Sequence, residues 1–307
     1  MYDMDTISRA DRGEKVVNRY QKGHPTIGRL LEIGVVVSDL GGALERLEHV
    51  FEGAASPIIS DPNFQMEFRM CRVIDTDFEI MRSKDSRDLI GRYIERFGEG
   101  LHHVAFQVED AKKAMEEFRA MGVPPLSDEL IKLDNLRAFF LPPRIFGGVL
   151  FEFIENLHHW IDGMPLVPPG ETKPLTNGGV RIRGFGVRVN DLASVMKAFR
   201  EVLGADNSDI FVDSELQVRA CISRLANTEF KLMEKILPSA DSKIPIVENR
   251  ALQYVRIEAR DVIAAIARMK GGGVRFLKDG DLAEGTSLSR FSDPKSCNGI
   301  MFEILEL

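Results

Sequence analysis

Carboxylates and imidazoles set in apolar runs are the groups of this chain able to do chemistry. Glu79 stands between Phe78 and Ile80 in DTDFEIM, Glu152 between Phe151 and Phe153 in GVLFEFIE, and Glu303 between Phe302 and Ile304 in GIMFEILE. Successive residues of a strand point to opposite faces. Each run therefore gives an apolar face to a core and turns its acid the other way. A buried acid needs a partner, and carboxylates and imidazoles serve as cation ligands or proton carriers. Two histidine pairs accompany them: His102–His103, and His158–His159 beside Trp160. A lone histidine on a strand suits a structural role as well as a ligand role. His102 should point away from the face that His103 serves. His158, His159 and Trp160 follow the last strand of their unit and read as a linker. No Ser–His–Asp or Cys–His nucleophile pattern is present. Gly271, Gly272 and Gly273 lack the preceding strand and following helix of a phosphate loop, so they read as a helix terminator.

The elements that must position these residues form a fourfold repeat. IGVVVSDLGGALERLEHVFEG, VAFQVEDAKKAMEEFRAMG, FGVRVNDLASVMKAFREVLG and VRIEARDVIAAIARMKGGG share one grammar. A β-branched or apolar run is followed by Asp, a helix-period pattern and Gly. Asp39, Asp110, Asp191 and Asp261 fall where an N-cap acceptor satisfies free helix N–H groups. Gly53, Gly122, Gly204 and Gly271 fall where a left-handed C-cap ends a helix. Ala111, Ala114, Met115 and Phe118 make one buried helical stripe, and Leu192, Val195, Met196 and Phe199 make another. Shorter apolar runs follow, so each unit reads strand–helix–strand–strand–strand. Asp39 and Asp191 are 152 positions apart, and Glu152 and Glu303 are 151 apart. The fold class is α+β, with four βαβββ modules in two halves.

The organisation follows from these spacings. Residues 1–29 are a charged N-terminal extension able to pack as a helix, 30–160 the first half, 161–180 a Pro/Gly-rich linker, and 181–307 the second half. The 307 residues carry 47 acids against 40 bases, a net charge of -7 with no basic block. This argues against nucleic acid or an anionic membrane as the main partner. No apolar run reaches the ~20 residues of a membrane span, and MYDMDTISRADRGEK is too polar for a secretory signal. A cytoplasmic protein is the expectation. Cys71, Cys221 and Cys297 lack paired spacing and read as reduced structural thiols.

A duplicated strand–helix–three-strand module resembles the vicinal oxygen chelate superfamily, which includes glyoxalase I, methylmalonyl-CoA epimerase, extradiol dioxygenases and bleomycin-resistance proteins. The resemblance covers roughly residues 30–307. SKDSRDLIGRYIERFGEGLHHVAFQVED, with its GEG-L-HH-VAF-V pattern, is similar to the segment of methylmalonyl-CoA epimerases that leads into their second module. The resemblance implies that the four modules pair into two barrels, and that paired modules curl into a cup around one divalent metal, each giving a ligand from its first and last strands. Carried onto this chain, those positions are Glu32, Glu79, His103 and Glu152. Methylmalonyl-CoA epimerases usually carry His where Glu32 stands. In the second half the same positions hold Gly184, Lys231, Tyr254 and Glu303. Glycine has no ligand atom, a lysine ammonium repels a cation, and a neutral phenol is a poor ligand. The second half is therefore expected to be degenerate and metal-free. The iron triad that four-module dioxygenases hold there is broken.

What the resemblance implies is a metal-dependent epimerase or isomerase that abstracts a proton α to a carbonyl. Its ion would be Mn, Co, Mg, Fe or Zn. Glu152 would serve as ligand and general base, with Glu79 as the alternative. The leading substrate is a small molecule, a methylmalonyl-CoA-like acyl thioester, and a homodimer is an assembly the reading allows. The long loop from DPNFQ to RDLIGRY, with the paired halves, would shape the substrate mouth. The alternatives are another enzyme of this cup (a polyol-ketone epimerase, a glyoxalase-type lyase or a ring-cleaving dioxygenase) or a metal-free small-molecule binding or resistance protein.

Overall fold

The computed structural model describes residues 24–61, 64–85, 87–133, 136–156, 179–214, 216–236, 247, 249–277 and 290–307. His158, His159, Trp160, residues 1–23 and nearly all of the proposed linker lie outside the described residues.

The first half contains β1 (Ile27–Val36), α1 (Leu40–Phe51), β2 (Ile59–Asp61), β3 (Met66–Val73), β4 (Thr76–Ser83), α2 (Leu89–Phe97), β5 (Gly100–Val108), α3 (Ala111–Ala120), β6 (Ile131–Leu133), β7 (Leu136–Leu141) and β8 (Leu150–Asn156). The second half contains β9 (Val180–Arg188), α4 (Leu192–Leu203), β10 (Asp206–Asn207), β11 (Phe211–Asp213), β12 (Val218–Leu225), β13 (Thr228–Lys235), β14 (Leu252–Ala259), α5 (Val262–Gly271), β15 (Arg290–Phe291) and β16 (Phe302–Glu306). Each half is an eight-stranded sheet. The orders are β2-β3-β4-β1-β5-β8-β7-β6 and β10-β12-β13-β9-β14-β16-β15, with β11 beside β12.

Within every module the first strand runs parallel to the last: β1 with β4, β5 with β8, β9 with β13 and β14 with β16. Two modules join through their first strands, antiparallel in both halves. This is the four-module, two-barrel α+β architecture expected from the repeat. Asp39, Asp110, Asp191 and Asp261 all cap helices, each accepting from backbone N–H groups of the first turn. The glycine end caps match less uniformly. Gly122 and Gly204 have positive φ, but after α1 the left-handed residue is Glu52, and after α5 it is Gly273. Gly53 is instead a close-approach site, where a Cβ would stand 2.0 Å from the Arg72 carbonyl oxygen.

Strand parity divides the side chains. Phe78, Ile80, Phe151, Phe153 and Phe230 are fully buried in one apolar core that both halves share. The Phe151 and Phe230 rings meet across the seam at 5.6 Å, as do those of Phe151 and Phe199. Two hydrogen bonds cross the seam reciprocally. Asp75 Oδ1 accepts from the Ile182 amide at 3.0 Å, and Asn227 Oδ1 accepts from the Leu30 amide at 3.0 Å. Both pairs of equivalent residues are 152 positions apart, so the halves face each other about an approximate twofold. All three cysteines are buried free thiols. Among the described residues, no helix is long and apolar enough to cross a membrane.

Candidate metal centre

The polar parity of β1, β4, β5 and β8 meets on the concave side of the first sheet. Strand pairing fixes the positions: Gly34 lies opposite both Glu79 and His103, and Ala105 lies opposite both Glu32 and Glu152. Two small residues thus sit between the four functional ones and leave room for their side chains. All four are buried, His103 at 2 % exposure. They line a cavity of about 390 Å3. Ligand atoms of Glu32, His103 and Glu152 all come within 4.8 Å of one another. Glu79 joins them through His103, whose Nε2 is 3.4 Å from Glu79 Oε2 and 3.2 Å from Glu152 Oε2.

Neither contact has hydrogen-bond geometry, and Nε2 is left buried without a hydrogen-bond partner. A polar atom in that state is costly. The donor set of one imidazole nitrogen and up to three carboxylates is what a borderline or hard divalent cation takes. The residues present therefore fit such an ion.

The electrostatics agree. Burial, then the neighbouring Glu79, Glu152 and Asp77, push the Glu32 carboxyl well above the usual range. Glu79 is pushed up to about 7, chiefly by burial; His103 opposes the rise, while Glu152 and Asp61 add to it. Burial works against the charged form of His103, but Glu152 and Glu79 outweigh it and raise its pKa. Carboxylates crowded without a cation hold protons, and a bound cation would let them ionise.

His102 overturns an expectation. Its ring lies on the same side as His103, with Nδ1 2.9 Å from His103 Nδ1, and it lines the same cavity. The cause is a bulge in β5. Gly34 pairs with His103 and Val35 with Leu101, so His102 is an extra residue and strict alternation fails there. Burial, and then the charge of His103, hold the His102 pKa at about 3. Asp61 was not anticipated either; it is buried on β2 and lines the cavity near Glu79. The segment from Asp61 to Tyr93 does line the mouth, through Phe64, Leu89 and Ile90, but as strands and α2 rather than as a long loop.

The second sheet repeats the register with other residues. Gly186 lies opposite Lys231 and Tyr254, and Arg256 lies opposite Gly184 and Glu303. Gly184, Lys231, Tyr254 and Glu303 thus occupy the places of Glu32, Glu79, His103 and Glu152. Lys231 Nζ binds Asp213 Oδ2 at 2.6 Å, and the Arg256 Nε donates to Glu303 Oε2 at 2.7 Å. Burial and the nearby Glu303 keep the Tyr254 phenol well above its usual pKa. Arg256 stands where the first half has Ala105. That substitution, two residues after Tyr254, is the signal that sequence comparison of the halves could have used. In this half the cations are built in.

Comparison with known proteins follows the same division. A family model described as "Glyoxalase/Bleomycin resistance protein/Dioxygenase superfamily" matches residues 32–137 and 184–290. The mouse protein named "Methylmalonyl-CoA epimerase, mitochondrial" is 26% identical over 139 residues, 44% of this chain and 78% of its own length. The "Ethylmalonyl-CoA/methylmalonyl-CoA epimerase" of Cereibacter sphaeroides is 23% identical over 129 residues, 41% of this chain and 96% of its own. A solved structure of a mutant 4-hydroxymandelate synthase from Streptomyces coelicolor superposes with a TM-score of 0.68 at 13% identity, covering 91% of this chain and 92% of that one. The likeness to that structure is one of fold, across both halves. With a family model matching each half and the modules paired in both sheets, the chain belongs to the glyoxalase/bleomycin resistance protein/dioxygenase superfamily.

Proposed function

We propose that the first half, residues 30–160, is the working half of a metal-dependent epimerase or isomerase, and that 181–307 is a degenerate half without metal. His103 Nε2 carries the reading. It is a buried nitrogen aimed between two carboxylates, with no hydrogen bond to either. Glu32, Glu79, His103 and Glu152 would hold the ion. A divalent cation bound there supplies Lewis-acid stabilisation of the negative charge that develops on neighbouring substrate oxygens, worth several kcal/mol.

The protein's own groups do the rest. Glu152, on β8 in the cavity wall, removes the proton α to the carbonyl, and a second carrier delivers a proton to the opposite face of the planar carbanion. Glu79, pushed to about 7, is the alternative carrier, because a base poised near neutrality exchanges protons efficiently. Phe140 packs edge-on against the His103 ring at 5.6 Å and fixes its plane. Apolar walls from Met66, Phe68, Met70 and Leu136 exclude water from the carbanionic centre. The similarity to methylmalonyl-CoA epimerases supports an acyl thioester as substrate.

Two measurements test the reading. Metal analysis should find about one ion per chain. Incubation with α-substituted acyl thioesters in heavy water should place deuterium at the α-carbon. Oxygen consumption or carbon–carbon cleavage without exchange would move the reaction to another branch of the superfamily. A protein that takes up no metal on add-back would be a binding protein.

A further inference from the structure

The second half has a use that its lost ligand set does not reveal. A second cleft, of about 600 Å3, lies where the halves meet. Its walls carry Arg96 from α2, Arg144 from the turn before β8, Arg188 at the end of β9, and Arg250 just before β14. Among the described residues that line it, there is no Asp or Glu. This is a concentration of positive charge in a chain whose net charge is -7.

Arg250 is the most telling of the four. It is 9 % exposed, and its Nη2 donates to the backbone carbonyls of Phe97 and Glu99 at 2.5 and 2.7 Å. Carbonyls orient a guanidinium without neutralising it. Its Nε is buried with no hydrogen-bond partner among the described residues. Buried charges are normally paired. Arg144 and Arg96 are exposed at the rim and Arg188 is half-buried, so the charge runs from solvent to floor. Asn190 and Asn249 add neutral side-chain amides.

The cleft exists only because the halves dock. Gly147 and Gly148 let the first half approach closely: a Cβ would lie 2.8 Å from Val189 on one and 2.9 Å from Ala251 on the other. The cleft also shares a wall with the acid-floored cavity, since His102 and Leu150 line both.

We propose that this cleft binds a phosphate-bearing small molecule, held by the forked donors of Arg96, Arg144 and Arg250. Guanidinium groups match carboxylate and phosphate oxygens alike, and several of them in one cleft favour a multiply charged oxyanion over a lone carboxylate. The phosphate belongs either to the carrier of a thioester substrate or to a separate phosphorylated compound. The inference does not depend on proton abstraction in the first half.

The test uses the full chain and two probes, coenzyme A and inorganic pyrophosphate, titrated by calorimetry in chloride buffer at fixed ionic strength. The expected result is saturable binding of at least one probe, weakened about tenfold or more in the Arg96→Ala/Arg144→Ala double variant. Both residues are exposed, so the fold survives their loss. A Lys112→Ala/Lys113→Ala control on α3 should bind like the parent. Binding of coenzyme A alone assigns the phosphates of the thioester carrier. Binding of pyrophosphate without coenzyme A assigns a separate phosphorylated ligand, and binding of both assigns recognition of the shared diphosphate. If neither probe saturates at millimolar concentration, or if the arginine variants bind like the parent, the proposal is wrong.

Discussion

The imidazole of His103 fills the space in which a side chain at position 34 would sit: a Cβ on Gly34 would stand 2.2 Å from both Cε1 and Nδ1 of the ring. The second half repeats the relationship, with Tyr254 over Gly186 at 2.0 Å. In each cup a glycine on the first strand is the bed on which the central ring lies. The ring's position is therefore set by a residue with no functional group.

Gly34→Ala should displace the His103 ring and weaken metal binding by about tenfold or more, with an overpacking cost of about 1–3 kcal/mol. Gly186→Ala should carry a similar stability cost and leave the metal content of the folded protein unchanged. Metal analysis beside denaturant unfolding separates the two. Equal metal loss in both variants would mean that the effect is on folding alone.

His103→Ala should remove the ion, because it deletes the nitrogen donor of the set. Glu152→Gln should largely keep the ion, since an amide oxygen stays within reach, yet lower turnover by roughly 10²–10⁴ because an amide cannot take the proton. Retention of full metal in the alanine variant would refute the ligand set. Near-normal turnover in the Gln variant would pass the base role to Glu79.

Lys231→Ala and Tyr254→Phe should leave metal content untouched, because Lys231 is held by Asp213 and Tyr254 is a neutral phenol over Met233. Lys231→Ala breaks the charged hydrogen bond to the half-buried Asp213 and should destabilise the chain, by about 1.5–3 kcal/mol for a bond to a charged group. Loss of metal in either variant would place the ion in the wrong half.

Metal uptake should displace protons. Glu79 is pushed up to about 7, and burial pushes Glu32 well above the usual carboxylate range. Below about pH 7 the ion must therefore compete with the Glu79 proton. Affinity should fall as pH is lowered, approaching about tenfold per unit for each proton displaced. Calorimetry in buffers of differing ionisation enthalpy should show more protons released at pH 6 than at pH 8.5. A release that does not change with pH would place Glu79 outside the ligand set.

Much of this was legible in the sequence because it is local. Asp39, Asp110, Asp191 and Asp261 announce their helices through a bond to the next turn. Glu79 and Glu152 announce their face through alternation with Phe78, Ile80, Phe151 and Phe153. The exceptions are non-local. Strict alternation sends His102 away from His103, but pairing with β1 inserts a bulge that turns both rings the same way. The left-handed end of α1 falls on Glu52 because Gly53 is needed where the chain presses on Arg72. Asp61 and Arg256 matter through residues far away in sequence, Glu79 and Glu303, and no local pattern marks such a meeting.

The reciprocal bonds of Asp75 with Ile182 and of Asn227 with Leu30 have a consequence for how the molecule responds to dilution. Contacts related in this way are those of a self-complementary pair of identical partners. Here one peptide chain tethers the two partners, so each meets the other at a fixed, high local concentration. A symmetric pair of separate chains must keep both sites alike, because one gene writes both. Tethering lifts that constraint: one copy can keep an open ligand set while the other carries Gly184, Lys231 and Tyr254 at the matching positions, without weakening the seam that joins them.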